Sequence, residues 1–257
     1  MMNSVCCQAP PLGRVADFLA QYASVLLSAG STTLRIDKNV RRMAAVYDVR
    51  VVMTVMPRHI EIMIARGGEV ASRMEYWCRG VDFMVITWLS RLSWRVAEER
   101  MPIEVAERCL CAIRRRGRIG IGPLTLMVGL ANASFCRLFA GDYWAMLFVF
   151  IATVGGFYVK HRMVSEGLDV RFAVVVAASL SAIISCGASL YHLGGTPETA
   201  VATSVLYLVP GIPYINAFSD FISGHYICSL SWLFSALEIT TCLGAGLFLA
   251  EYLLMLG

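Results

Sequence analysis

TAVATSVLYLVPGIPYINAFSDFISGH, residues 199–225, is the stretch on which the reading of this chain turns. It begins as an apolar run of membrane grade, and Pro210-Gly211-Ile212-Pro213 interrupts that run at its inward-facing end. Both prolines lack an amide hydrogen, and each disfavours helical geometry in the residue before it. Broken backbone at membrane depth is tolerated only where protein buries it or water wets it, because lipid offers no hydrogen-bond partner. One reading is therefore a transporter-type break, presenting free backbone groups together with Asn216, Ser219 and Asp220 to a substrate or ion. The other is a membrane helix that ends at Pro210 and passes into an interfacial turn. Geometry alone favours neither.

Outward from this stretch, the composition is that of a membrane protein. The 257 residues are 58% hydrophobic, with a mean hydropathy of +0.65. Charge divides the chain: residues 1–118 carry a net +7 and residues 119–257 a net −3. This pattern predicts a short disordered lead (1–11), a basic cytoplasmic domain (12–118) and a membrane domain (119–257). Five apolar segments, about 119–140, 143–160, 171–192, 198–215 and 228–254, approach or exceed the roughly 20 residues of a spanning helix. Arg114-Arg115-Arg116-Gly117-Arg118 abuts the first of them and places the N-terminal domain inside. Lys160, Arg162 and Arg171 mark the second inner loop, so five spans leave the C-terminus outside. Twenty of the 22 basic residues are Arg, without the aromatic interleaving of nucleic-acid binders, so no nucleic-acid partner is expected.

In the N-terminal domain the apolar residues Leu12, Val15, Leu19, Tyr22 and Leu26 recur at helical spacing, with Ala29-Gly30 as a stop. A second helix is expected over 32–47, capped by Ser31, with Asp37 and Arg41 paired on its outer side. The period then changes to two. Strands are expected over 51–56 and 59–64, then a Gly67-Gly68 hairpin turn and a third strand over 69–78. Helices over 82–99 and 102–116 complete an ααβββαα unit, so the fold class is an α+β domain followed by five transmembrane helices. His59 and Glu61 share the solvated face of a strand, and no P-loop, H-E-x-x-H, G-x-S-x-G or dinucleotide fingerprint is present. Nine scattered cysteines form no disulfide framework, and Cys109-x-Cys111 has no second pair or nearby His, so no metal site or cofactor is expected.

Polar groups within apolar spans are costly and need a reason. Asn132 and Arg137 lie in the first span, and Arg137 can either snorkel outward or pair with Asp142 at the span's outer end. Glu238 lies well inside the fifth, suited to proton carriage, to pairing with a cation, or to a neutral hydrogen bond with a neighbouring helix. A small-residue stripe on the third span, Ala173, Ala177, Ser181, Ser185 and Ser189, allows close helix approach, as do Gly155-Gly156 and Gly244-Ala245-Gly246.

The segment Leu26-Leu27-Ser28-Ala29-Gly30-Ser31-Thr32-Thr33-Leu34-Arg35-Ile36-Asp37 resembles the L-x-x-G-x-x-T-x-R-[VI]-[ED] signature of the threonine/serine exporter family. The strand pair at 51–65, the Arg79-Gly80-Val81-Asp82 step and Leu208-Val209-Pro210-Gly211-Ile212-Pro213 with Asp220 downstream carry the same resemblance over nearly the whole chain. It maps the signature to Gly30, Thr33, Arg35 and Asp37, the last an Asp where Glu is commoner, and the Pro-Gly element to Pro210, Gly211 and Pro213. Single-chain members have about ten spans. A five-span chain therefore resembles the larger subunit of the split, two-component systems of the bacterial inner membrane, associated with export of succinate. The resemblance implies an exporter of dicarboxylates or amino acids completed by a small multi-span membrane protein; the odd span count and the third-span stripe leave a homo-oligomer as the alternative partner. With no nucleotide site in the sequence, the proton gradient is the expected driving force. Pro210, Gly211, Pro213, Asn216, Asp220, Glu238, Asn132 and Arg137 are the substrate or coupling candidates. The alternatives are a membrane-anchored enzyme and a sensory or scaffold protein whose N-terminal domain binds a small molecule or a cytoplasmic partner.

Overall fold

A computed structural model describes residues 10–76, 80–116, 119–190 and 195–255, the side chains of 188–190 excepted. The chain forms two compact units: residues 1–117 with 212–233, and residues 118–211 with 234–257. Residues 212–233, expected as part of the membrane domain, thus pack with the first unit.

The first unit opens with α1 (Leu12–Ser28) and α2 (Thr33–Val46), followed by β1 (Arg50–Val55), β2 (His59–Arg66) and β3 (Glu69–Tyr76). Then come α3 (Phe83–Glu98) and α4 (Ile103–Arg115). The strands form one antiparallel sheet in the order β1-β2-β3. Gly67 and Gly68 both have positive φ, +55° and +90°, as the two-residue hairpin turn between β2 and β3 requires. Period-two alternation buries Ile60, Ile62 and Ile64 completely beneath the helices. His59 and Glu61 stand on the other face, His59 beside the ring of Tyr76 and Glu61 accepting from Ser72 Oγ at 3.4 Å.

The core is filled by the predicted apolar face of α1, with Val15, Leu19, Tyr22 and Leu26 at 0% exposure. Tyr22 Oη donates to the Leu89 carbonyl at 2.9 Å and accepts from Asn39 Nδ2 at 3.1 Å. The only phenol on this face thus keeps its partners. Asp82 caps α3 by accepting from Met84 N and Val85 N. Pro102, expected in the first turn of α4, stands at its N-cap.

The second unit holds α5 (Ile121–Leu138), α6 (Tyr143–Ser165), α7 (Val170–Leu190) and the short α8 (Pro197–Ser204), which tightens into a 3-10 turn at Leu206–Leu208. The last two helices are α9 (Gly211–Ile222) and α10 (Tyr226–Met255); α10 enters the second unit at Phe234. Among the described residues four helices, α5, α6, α7 and α10, are long and apolar enough to cross a membrane. They make five crossings if α8 with its 3-10 turn and α9 count as one broken span. Together with that family of apolar helices, the exposed side chains of α5 and α10, such as Leu126, Met127, Phe234 and Phe248, are those of a multi-pass membrane protein.

The fourth apolar segment is therefore not the single helix 198–215. Its first part, 12 residues from Pro197 to Leu208, rises about 18 Å, short of the roughly 30 Å of a hydrocarbon core. Val209, held extended at φ −60° and ψ 125° ahead of Pro210, ends it. Gly211 N then donates to the Val209 carbonyl at 2.8 Å across Pro210, and the helix restarts. Pro213 does not break the chain, as its type alone suggested. It falls in the first turn of α9, where an amide hydrogen has no intrahelical acceptor anyway.

The small-residue stripe lies inside the unit. Ala173, Ala177, Ser181 and Ser185 are each 0% exposed, so the stripe is a packing seam of the chain itself, not an open face. A side chain at Gly156 would collide with Tyr207 Oη, Ser181 Oγ and the Ala177 carbonyl. One at Gly246 would meet the Val175 carbonyl oxygen at 2.6 Å and Ala178 Cβ at 2.7 Å, which fixes the α7–α10 approach. Ser189 lies among the side chains outside the described set.

Candidate functional site

The signature turn at residues 29–33 is where the first unit gathers its polar groups. Helix α1 ends in a Schellman motif: Ser31 N donates to the Leu26 carbonyl and Gly30 N to the Leu27 carbonyl. Gly30 has φ +86°, and a Cβ there would come within 2.9 Å of Val81 Cγ2. Asp82 N donates to the Ala29 carbonyl at 3.0 Å, which ties the Gly80-Val81-Asp82 step to the same turn. Arg79 lies outside the described residues.

Helix α2 starts without a cap of its own, since neither Ser31 nor Thr32 turns its hydroxyl back onto the first amides. The cap arrives from 187 residues away. Asp220 Oδ1 accepts from Thr33 N at 3.0 Å and Oδ2 from Thr33 Oγ1 at 3.0 Å. A carboxylate at a helix N-terminus satisfies a free amide and meets the positive end of the helix dipole. One turn earlier on α9, Asn216 Nδ2 donates to the Gly30 carbonyl at 2.8 Å. Residues four apart share a helix face, so Asn216 and Asp220 grip the turn together. Asp220 is fully buried and Asn216 is 4% exposed. Behind them, Ser229 Oγ donates to the Ala217 carbonyl at 2.7 Å, and His225 N to the Asp220 backbone carbonyl at 2.8 Å.

Of the other signature residues, Asp37 pairs with Arg41 at 2.8 Å, as their spacing predicted, and Arg35 is exposed. Asp37 and Thr33 line a cleft of about 350 Å³ beside Thr54, His225, Tyr226 and Cys228. Cys228 Sγ donates to the Val55 carbonyl on the edge strand at 3.3 Å. Among the described residues, no group of three His, Cys, Asp or Glu side chains gathers as a metal site.

In the second unit the candidates part company. Asn132 is 4% exposed, and its Nδ2 donates to Thr153 Oγ1 at 2.6 Å and to the Thr203 carbonyl at 3.1 Å. It joins α5, α6 and the end of α8, where the helix break leaves carbonyls without intrahelical donors. Arg137 does not take Asp142. Its Nη1 donates to the Gly141 carbonyl at 3.1 Å and its guanidinium sits 5.4 Å from the Tyr143 ring centre. Asp142 is already engaged, because it caps α6 through Ala145 N at 2.7 Å and accepts from Gly195 N at 2.5 Å. Those amides hold its carboxyl below the usual carboxylate range. Glu238 is not solitary: its Oε1 lies 2.7 Å from Arg171 Nε, the second residue of α7. Sequence reading passed over Tyr207 and Thr153. Tyr207 Oη lies 3.0 Å from Ser181 Oγ, which donates to the Ala152 carbonyl at 3.1 Å. Hydroxyls on otherwise apolar helices were the available signal, but their spacing did not say which helix each would face.

A family model described as "Putative threonine/serine exporter" matches residues 17–254. The chain is 34% identical over 169 residues to the "Probable succinate transporter subunit YjjP" of Escherichia coli K12, covering 65% of this chain and 66% of that protein. It is 30% identical over 172 residues to the protein of the same name from Klebsiella aerogenes, covering 65% of each. Similarity to the "Probable threonine/serine exporter" of Mycobacterium tuberculosis is 22% over 246 residues, which is 92% of this chain and 46% of that protein. The chain thus matches just under two thirds of the length of the first two relatives and less than half of the third. No solved structure matches it. With a family model spanning almost its whole length, the chain belongs to the threonine/serine exporter family.

Proposed function

We propose that this chain is the larger subunit of a two-component exporter of small carboxylates, a dicarboxylate such as succinate before an amino acid such as threonine or serine. The family is one of exporters, not of enzymes, and two relatives carry the word subunit in their names. In this reading a small multi-span membrane protein completes the translocation path. The N-terminus faces the cytoplasm, the broken pair counts as one crossing and the C-terminus faces outward, following the arginine-rich approach to α5. The proton gradient drives export.

The observation that carries the reading is the bond between Asp220 on α9 and Thr33 at the start of α2. The chain leaves the membrane-type unit between Gly211 and Ile212, directly after the Pro210 break, and returns to it between Leu233 and Phe234. The clasp therefore holds the signature turn to α9, the helix that follows the Pro210 break in the chain. We assign Asn216 and Asp220 to gating through this clasp, and Pro210 and Gly211 to the free backbone that borders the path. The test is succinate and threonine efflux from loaded cells, with and without this chain and with and without the small partner. Efflux of carboxylate only when both are present is the expected result. Equal efflux in all four strains overturns the reading.

A further inference from the structure

We infer that Lys160 is the carboxylate-anchoring residue of the transported substrate; the inference rests on the export reading and names the ligand group inside it. The chain has only two lysines, Lys38 and Lys160, against 20 arginines. Lys38 is exposed on α2, whereas Lys160 lies near the end of the apolar helix α6. Val149, Ala152, Thr153 and Gly156 form the buried face of that helix, and Lys160, four residues beyond Gly156, continues the same face. It is half-buried.

An ammonium partly withdrawn from water needs a counter-charge, and the described residues supply none. Lys160 makes no hydrogen bond or ion pair with any described residue. No acidic side chain occurs among the residues outside the described set. The neighbouring acids are engaged: Glu166 with Arg162 at 2.7 Å, and Glu238 and Asp169 with Arg171 at 2.7 and 3.9 Å. Asp142 caps the opposite end of α6, about 27 Å away along the axis. A strongly hydrated point charge, partly withdrawn from water and left unpaired in an apolar helix, suits an anion that arrives and leaves. One turn along the same face, the space vacated by the missing Gly156 side chain holds Tyr207 Oη and Ser181 Oγ, 3.0 Å apart. Both groups are neutral, so this side of α6 offers Lys160 no counter-charge either.

The two lysines make the test internally controlled. The full chain, reconstituted with its partner in lipid vesicles, is treated with an amine-acylating reagent, with and without millimolar succinate. Acylation at each lysine is followed by peptide mass spectrometry, with chloride at matched ionic strength as the blank. Succinate should slow Lys160 at least threefold and leave Lys38 unchanged. In efflux, Lys160→Gln should raise the succinate KM tenfold or more with kcat largely kept, and Lys160→Arg should restore most of the affinity. An unchanged Lys160:Lys38 ratio in vesicles that export succinate overturns the anchor and leaves the export reading standing. Protection without export supports the anchor and overturns the export reading. Neither protection nor export overturns both.

Discussion

Asn132 and Asp220 answer the same structural problem in opposite chemical terms. Where α8 gives out ahead of Pro210, carbonyls lose their donors, and the amide nitrogen of Asn132 supplies one to Thr203. Where α2 begins after Gly30, amides lack acceptors, and the carboxylate of Asp220 supplies two oxygens to Thr33. The first repair lies in the unit of apolar helices, where a neutral amide costs less to bury than a charge. The second lies in the α+β unit, at a helix N-terminus whose dipole favours an anion. Each unit repairs a helix end with a residue far away in sequence, and each has chosen the group its surroundings make affordable.

The largest effect expected from disturbing this pair is at the carboxylate. Asp220→Ala leaves Thr33 N and Oγ1 unpaired in a fully buried site, and a lost charged hydrogen bond is worth about 2–3 kcal/mol. Thermal unfolding of the purified chain, followed by tryptophan fluorescence, should fall by several degrees, and efflux should vanish at normal membrane abundance. Asp220→Asn, which keeps one acceptor, should recover part of the stability. If Asp220→Ala unfolds like the parent, the clasp is not a cap.

Gly30→Ala should come next, costing about 1–2 kcal/mol, because it combines positive φ with a Cβ 2.9 Å from Val81. Paired with Val81→Ala it should recover the steric share and not the backbone share, and the two melting curves separate them. Asn132→Ala should cost about 1 kcal/mol, the upper part of the range for polar contacts between membrane helices. A loss as large as that at Asp220 would show that the amide repair matters as much as the carboxylate one.

The smallest effect is expected at Glu238. Its carboxylate is 43% exposed beside a still more open Arg171, so Glu238→Gln should change stability by less than about 1 kcal/mol and leave the pH profile of efflux intact. A flattened profile would instead make Glu238 a proton carrier. Alkali should also loosen the first unit. Burial raises the Tyr47 phenol in the first unit to about 12 from an ordinary value of 10.0. The stability it contributes is complete below pH 10 and is lost as pH climbs toward 12, since the unfolded phenol ionises first. Near-ultraviolet circular dichroism from pH 9 to 12 should show that loss, and Tyr47→Phe should shift it upward.

Local pattern by itself determined most of the architecture. The 3.6-residue repeat of α1, the two-residue alternation of β1 and β2, Gly67-Gly68 and the long apolar runs each carry their conformation in a window of a few residues. The signature around Gly30, Thr33 and Asp37 and the Pro210-Gly211 element were likewise legible as marks on the chain. What those marks do to one another was not. Only the tertiary structure set Asp220 against Thr33, made Pro213 the start of a helix, turned the Ala173–Ser185 stripe inward and gave Glu238 to Arg171. Periodicity says which face of a helix is apolar or polar. It carries no information about which distant helix end will present the unpaired amides or carbonyls that a buried Asn or Asp must satisfy.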